Sequence, residues 1–244
     1  MKEDLLDLTK RLRRRLEQSH ESDFALGARA KPKAAPAAAA APAGDAFTKL
    51  AQTVAACRLC PLGSQRLNAV FGVGPADAEV VFIGEGPGYD EDHKGEPFIG
   101  RSGQLLDKIM ESIGLSRTTN AYIANIVKCH PMQDPSDPEA RGNDRPPTPE
   151  EMAACKPYLD EQILLIDPKA LVTLGASPAK ALLGPGEPIT KIRGQWREYT
   201  PAGSSKSYKL MPTFHPAALL RNPNLKKDVW ADMKALRAVL QETP

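Results

Sequence analysis

The chain has 244 residues, and its 32 lysines and arginines nearly balance 30 aspartates and glutamates. The formal net charge of +2 argues against a wholly basic nucleic-acid coat protein. The charge is segregated, because residues 34–187 carry −7 and residues 188–227 carry +7. A basic surface late in the chain is therefore compatible with the nearly neutral total.

The first 44 residues are predicted to lie outside the globular part of the chain. Leucines recur at helical spacing among basic side chains in residues 1–29, which predicts a basic amphipathic helix or arm. Residues 30–44 are rich in alanine and proline and are predicted to form a linker. The arm is interpreted either as a solvated helix or as a docking segment for DNA or for a replication or repair partner.

Short apolar runs alternate with helical patterns in residues 45–244, the predicted globular domain. The runs that predict strands lie at 80–83, 121–127, 170–174 and 209–214. Helices are predicted at 102–113, 148–165, 177–183 and 225–241. This alternation predicts a three-layer α/β/α sandwich with a central, mostly parallel, four-stranded sheet.

Polar side chains lie at the ends of three of these predicted strands. Glu85 follows the first strand, Asn125 lies near the end of the second, and His215 follows the fourth. Ligands of open α/β sheets bind beyond the carboxyl ends of the strands, so these three residues are predicted to meet at one rim. Each residue alone would suit an ordinary turn. Their joint placement favours a functional site.

The four cysteines give a second indication of chemistry. Cys57 and Cys60 form a C-x2-C pair, and Cys129 and Cys155 follow at long distances along the chain. The close pair is a good local chelate, since two thiolates at this spacing can face one metal. Four thiolates suit a structural zinc ion or an iron–sulfur cluster, and unliganded buried thiols are the third interpretation.

Several segments follow one another in an order typical of a known family. They are G-E-G-P-G-Y-D-E-D-H-K-G-E-P-F-I-G-R-S-G-Q-L-L-D (84–107), N-I-V-K-C-H-P (125–131), P-P-T-P-E-E-M-A-A-C-K-P-Y-L (146–159) and F-H-P-A-A-L-L-R-N-P (214–223). With the four cysteines, they resemble the family 4 uracil-DNA glycosylases, the iron–sulfur branch of that superfamily. The resemblance covers about residues 45–241. Two departures are a longer loop at 132–145 and Gly86, where alanine is common.

The resemblance implies an enzyme of base excision repair. It would flip uracil out of single- or double-stranded DNA and hydrolyse the N-glycosidic bond, leaving an abasic site without cutting the strand. It also implies a [4Fe-4S] cluster on the four cysteines. We expect a monomeric, prokaryotic, cytoplasmic protein that works at the nucleoid and has no membrane contact. No uninterrupted apolar run approaches the ~18 residues of a membrane span, and acidic residues occupy the N-terminus where a secretory signal would be basic.

The resemblance also implies a role for each residue of the rim. Phe98 would stack on the uracil ring, and Asn125 would recognise the edge of the base. His215 would stabilise the departing uracil anion, with help from backbone N–H groups in the turn that contains Gly86. Glu85 would position or activate water and stabilise the positively charged sugar.

The basic segment 188–227 flanks the histidine motif and predicts contacts with DNA phosphates. Lys191, Arg193 and Arg221 are the predicted phosphate ligands. Leu219 or Leu220 is the predicted apolar wedge that fills the space left by the flipped base, with ordinary helix packing as the equal alternative.

Glu91 and Asp92, two acidic residues near Glu85, are weaker candidates for its role and are interpreted as solvated loop charges.

Two rival functions stay open. The first rival function is a uracil-DNA binding protein with weak or no turnover, although the basic insertion of such relatives is missing. The second is a zinc-binding interaction module, which a colourless, zinc-loaded protein would indicate.

Overall fold

The computed structural model describes residues 44–242. The predicted arm at 1–29 and the linker up to residue 43 lie outside the described residues. No helix in the described part of the chain is long and apolar enough to cross a membrane.

A five-stranded sheet forms the centre of the fold. Its strands are β1 (Val80–Gly84), β2 (Ala121–Asn125), β3 (Ala170–Leu174), β4 (Arg197–Tyr199) and β5 (Tyr208–Thr213), in the order β2-β1-β3-β5-β4. β4 is antiparallel to β5, and the other neighbours are parallel. The predicted mostly parallel sheet is confirmed, but the predicted count of four strands is wrong. β4 was missed because it has three residues, two of them exposed, and therefore no apolar run.

Helices precede, connect and follow these strands. They are α1 (Asp45–Ala56), α2 (Leu62–Gln65), α3 (Tyr89–Lys94), α4 (Arg101–Glu111), α5 (Pro149–Ile166), α6 (Ala176–Leu183), α7 (Ile189–Ile192), α8 (Pro216–Arg221) and α9 (Lys226–Gln241). A short 3₁₀ turn at Pro223–Leu225 separates the last two. α4, α5, α6 and α9 are the four helices predicted from the sequence, and their ends differ from the prediction by at most two residues.

Alternate side chains of the strands pack against helices on opposite faces of the sheet. Ile83 of β1 belongs to one buried apolar cluster together with Leu159 of α5. Its neighbour Phe82 belongs to a second cluster with Leu106 of α4 and Leu236 of α9. This period of two is the geometry of a pleated strand, and it produces the three-layer α/β/α sandwich.

The beginning of α5 is fixed by a capping box. The Thr148 hydroxyl accepts from the Glu151 N–H at 3.2 Å, and the Glu151 carboxylate accepts from the Thr148 N–H at 2.8 Å. Arg145 donates two further hydrogen bonds to the Glu151 carboxylate. These contacts satisfy N–H groups that a helix start leaves unpaired. They fix the first turn of the helix that carries Cys155.

Candidate active site

A large cavity opens at the carboxyl ends of the parallel strands, with a volume of about 1040 Å³. It is the place that the topology of an open α/β sheet favours for ligands. Six of the predicted site residues line it: Glu85, Gly86, Phe98, Asn125, His215 and Arg221. The tertiary structure therefore brings together groups that are up to 136 positions apart in the sequence.

Asn125 and Phe98 form one wall of this cavity. The Asn125 side chain is 1% exposed, and its Oδ1 atom is buried without a hydrogen-bond partner among the described residues. A buried acceptor of this kind is costly unless something binds to it. Gly84 leaves room beside both side chains, because a Cβ at this position would lie 2.6 Å from the Phe98 ring and closer still to Asn125 Oδ1.

His215 lies beside Phe98 in the cavity wall, with ring centroids 5.5 Å apart. Its Nδ1 atom accepts a hydrogen bond from the Ala217 N–H at 3.1 Å. Burial, reinforced by the positive charge of Arg221, lowers the pKa of His215 to about 4. The imidazole is therefore neutral near pH 7, and because Nδ1 is the acceptor, Nε2 carries the proton.

Glu85 is the first residue after β1 and lines the same cavity. Its backbone carbonyl accepts from the Val127 N–H at 3.2 Å, which ties the turn to the loop after β2. Within residues 44–242 the Glu85 carboxylate is not engaged in an ion pair. It is therefore free to interact with a solvent molecule or a ligand.

The interpretation of Glu91 and Asp92 as solvated loop charges is wrong. Asp92 is 1% exposed, and its carboxylate accepts hydrogen bonds from the backbone of Leu67 and Asn68. Glu91 lines the cavity and accepts from the Gly88 N–H at 3.2 Å. The signal was present in the sequence, since Gly88 and Glu91 have the spacing of a helix cap and its third residue.

The loop at 132–145 also reaches the cavity. It is closed by a bridge between Met132 and Asp144, and Asp144 and Arg145 line the cavity wall. Asp144 lies 2.6 Å from the buried ring of His130. The departure from the family pattern is thus an ordered part of the wall.

The predicted DNA ligands divide into two groups. Arg221 lines the cavity, and Lys191 is exposed, 3.4 Å from Glu187. Arg193 differs from both, because its guanidinium forms an ion pair with Asp232, which is 1% exposed. That arginine compensates a buried charge, so we no longer expect it to be a principal phosphate ligand.

The two leucines of α8 are also distinguished by the structure. Leu219 is 1% exposed and packs in the apolar core, which agrees with the alternative of ordinary helix packing. Leu220 is 43% exposed, so it stays the predicted wedge. Sequence reasoning missed Lys180, which lines the cavity together with Arg145 and Arg221.

The four cysteines line one small cavity that is separate from the large one. Arg66 donates to Cys129 Sγ at 2.9 Å, and the Lys128 N–H donates to Cys155 Sγ at 3.3 Å. Burial raises the pKa of the Cys129 thiol to about 11. No group of three or more His, Cys, Asp or Glu side chains in the described residues is arranged to hold a metal ion. The lining cysteines are Cys57, Cys60, Cys129 and Cys155.

Lys128 connects the cysteine cavity to the large cavity. It is 1% exposed and lines the cysteine cavity, while its Nζ donates to the Asn125 carbonyl at 2.9 Å and to Gln162 Oε1 at 2.5 Å. Burial lowers the pKa of this lysine to about 8, and the nearby thiols oppose that change. A disturbance among the cysteines therefore reaches the backbone of Asn125 directly.

Comparisons with known proteins agree with this geometry. The family model of the Uracil DNA glycosylase superfamily matches residues 71–234. A type-4 uracil-DNA glycosylase of Sulfurisphaera tokodaii is 42% identical over 198 residues, which cover 79% of this chain and 84% of that protein. A type-4 uracil-DNA glycosylase of Thermotoga maritima is 39% identical over 79% of this chain and 94% of its own length. The chain therefore belongs to the type-4 uracil-DNA glycosylases of this superfamily.

Proposed function

We propose that this protein removes uracil from DNA by hydrolysing the N-glycosidic bond, releasing free uracil and leaving an abasic site. The proposal is supported by the combination in one cavity of a neutral histidine, an aromatic ring and a buried amide oxygen that has no hydrogen-bond partner in the described part of the chain. These groups are His215, Phe98 and Asn125. The type-4 relatives carry the same activity in their names.

Phe98 and Asn125 recognise the base. An enzyme that acts on a single base takes it out of the stack, and an aromatic face then replaces the stacking partner. The unpaired Oδ1 of Asn125 accepts from uracil N3–H, and its Nδ2 donates to O4. Cytosine has a bare N3 and an amino group at C4, so both hydrogen bonds would be misdirected. Each unsatisfied group would cost about 1–3 kcal/mol.

His215 stabilises the departing base. Breaking the glycosidic bond leaves negative charge on uracil O2, and the Nε2–H of the neutral ring donates to that oxygen. The Ala217 N–H holds the required tautomer by occupying Nδ1. Because the imidazole is already in place and poorly hydrated, little reorganisation accompanies the reaction.

Glu85 activates the attacking water. The bond between the sugar C1′ and the base breaks, and a water oxygen forms the new bond to C1′. The Glu85 carboxylate accepts the proton of that water and stabilises the positive sugar before attack. The uracil anion leaves with the electron pair of the broken bond and takes up a proton from solvent afterwards.

DNA would be held around the mouth of the cavity. Arg221 and Lys191 would contact phosphates, and Lys180 joins them because it lines the same wall. The exposed Leu220 would fill the gap left by the flipped nucleotide. The monomeric state and a partner for residues 1–44 stay predictions.

The cysteine cavity fits a [4Fe-4S] cluster in its donor set. Four thiols come from the α1–α2 loop, the loop after β2 and helix α5, and Arg66 and a backbone N–H donate to two of the sulfurs. Hydrogen bonds to sulfur ligands are typical of such centres. The bound cluster would cross-link these three segments and would take no part in the chemistry at the base.

The activity test uses an oligonucleotide with one uracil, treated with enzyme and then with alkali. The wild type should give a strand break only after alkali, and Glu85→Ala, Asn125→Ala and His215→Ala should each lose at least ~100-fold in rate. Glu96→Gln, an exposed acid in the loop between α3 and α4, is the matched control. Binding without turnover, or unchanged rates in all three variants, would refute the assignment.

Two further measurements test the finer parts of the proposal. A break without alkali that disappears in Lys180→Ala would show a lyase step through this lysine instead of simple hydrolysis. The purified protein should absorb visible light and contain iron. A colourless protein that contains zinc would contradict the cluster.

A further inference from the structure

The backbone of Phe98 has an unfavourable conformation. Its φ angle is +55°, in the left-handed region, which phenylalanine rarely adopts because its Cβ crowds the backbone. Such a conformation persists only where the surrounding structure imposes it. The residue lies in the wall of the cavity, 7% exposed, so its ring direction depends directly on this backbone angle.

Arg117 holds the peptide groups before and after the Phe98 Cα. Its Nη1 donates to the Pro97 carbonyl at 3.0 Å, and its Nη2 donates to the Phe98 carbonyl at 2.8 Å. Asp107 fixes the guanidinium, because its Oδ1 accepts a 2.8 Å hydrogen bond from the Arg117 Nε–H. The planar fork of an arginine suits two carbonyls that point the same way.

Glu91 holds the N–H side of the peptide after the Phe98 Cα, and it also holds the next peptide. Its Oε1 accepts from the Ile99 N–H at 3.1 Å and from the Gly100 N–H at 3.4 Å. Its Oε2 accepts from the Gly88 N–H at 3.2 Å. One carboxylate therefore joins the turn after β1 to the turn that carries Phe98.

We propose that Glu91 and Arg117 are positioning residues that hold Phe98 in its strained conformation and so aim its ring at the flipped base. Neither has to touch the base, because each acts on the backbone of Phe98 or of the residues beside it. The inference rests on the proposed function, in which Phe98 stacks on uracil.

The test measures the inhibition constant of free uracil and the kcat/KM on uracil-containing DNA. Glu91→Gln replaces one acceptor oxygen by a donor, and Arg117→Met removes the donors from a side chain of similar length. Each variant should bind free uracil at least ~10-fold more weakly and lose at least ~10-fold in kcat/KM. Glu91→Asp and Arg117→Lys, which keep the charge, should lie between these variants and the wild type.

A double-mutant cycle with Phe98→Ala distinguishes positioning from general damage. If the two residues act through the ring, Glu91→Gln and Arg117→Met should produce no further loss once the ring is absent. Glu96→Gln and Lys108→Met, exposed changes of matching chemistry, should leave both constants at wild-type values.

Additive losses in the Phe98→Ala background would overturn the inference, as would unchanged uracil inhibition in folded Glu91→Gln and Arg117→Met. The proposed function fails separately, if the wild type does not release uracil, and the inference then falls with it. A wild type that releases uracil, combined with additive losses, would remove the positioning role alone.

Discussion

Replacing Gly84 by alanine would place a methyl group between the two side chains that are proposed to recognise the base. The new Cβ would lie 2.6 Å from the Phe98 ring, and closer to Asn125 Oδ1. Carbon atoms pack at about 3.5–4.0 Å, so the ring or the amide would have to move by about 1 Å. Both groups are buried and have little room to do so.

The expected cost follows from that displacement. A misplacement of about 1 Å in an active site can reduce the rate about 100-fold, which equals about 2.7 kcal/mol of transition-state stabilisation. Overpacking should also lower the free energy of unfolding by about 1–3 kcal/mol. The effect on the rate should exceed what partial unfolding explains, because a folded majority remains.

The assay compares Gly84→Ala with Gly186→Ala by single-turnover cleavage of a uracil-containing oligonucleotide and by urea titration. Gly186 is a suitable control because a Cβ there meets no atom within 4 Å. Gly186→Ala should behave as the wild type in both measurements. A Gly84→Ala variant with wild-type turnover would refute the reasoning, since it would mean that the positions of Asn125 and Phe98 do not control the rate.

Three further predictions concern charge and metal. Arg221→Ala should reduce the slope of log affinity for DNA against log salt concentration by about 1. Arg193→Met should leave that slope unchanged. It should lower the free energy of unfolding by about 3 kcal/mol, because Asp232 stays buried without its partner. The pKa of His215 falls from 6.5 in the unfolded chain to about 4 in the folded chain, so the unfolded chain takes up the proton first on acidification. Between pH 7 and pH 4, the wild type should therefore lose about 3 kcal/mol more of its free energy of unfolding than His215→Gln, as measured by urea titration. Removal of iron by a chelator should abolish visible absorbance and lower the melting temperature. It should also weaken the inhibition of the enzyme by free uracil, because Lys128 links the cysteine cavity to Asn125.

Each of these predictions has a result that contradicts it. An altered salt slope in Arg193→Met would return this arginine to the DNA surface. Equal pH dependence in the wild type and His215→Gln would mean that the histidine is not held neutral by burial. Unchanged uracil inhibition after loss of iron would separate the two cavities.

The positions of the principal site residues were predictable because each follows a recognisable apolar run. Glu85, Asn125 and His215 all lie at strand ends, and parallel strands bring their carboxyl ends to one edge. β4 was not predictable in the same way, since a three-residue edge strand buries too little to leave a pattern.

The residues that support the site were harder to predict because their partners are distant in sequence. Arg117 contacts the backbone of Phe98 across 19 positions, and Arg193 pairs with Asp232 across 39. Nothing local distinguishes such arginines from phosphate ligands on a basic surface. Glu91 is the intermediate case, since its capping position was visible and its reach to the cavity was not.

The sequence by itself determined the α/β/α architecture, the rim and the four cysteines, because hydrophobic periodicity and short motifs act locally. Only the tertiary structure decided which charges are free, since burial and pairing depend on what the folded chain brings alongside. The basic segment 188–227 shows the difference: Arg221 lines the cavity, while Arg193 compensates a buried aspartate. A charge count locates positive residues along the chain, and the fold determines which of them can reach DNA.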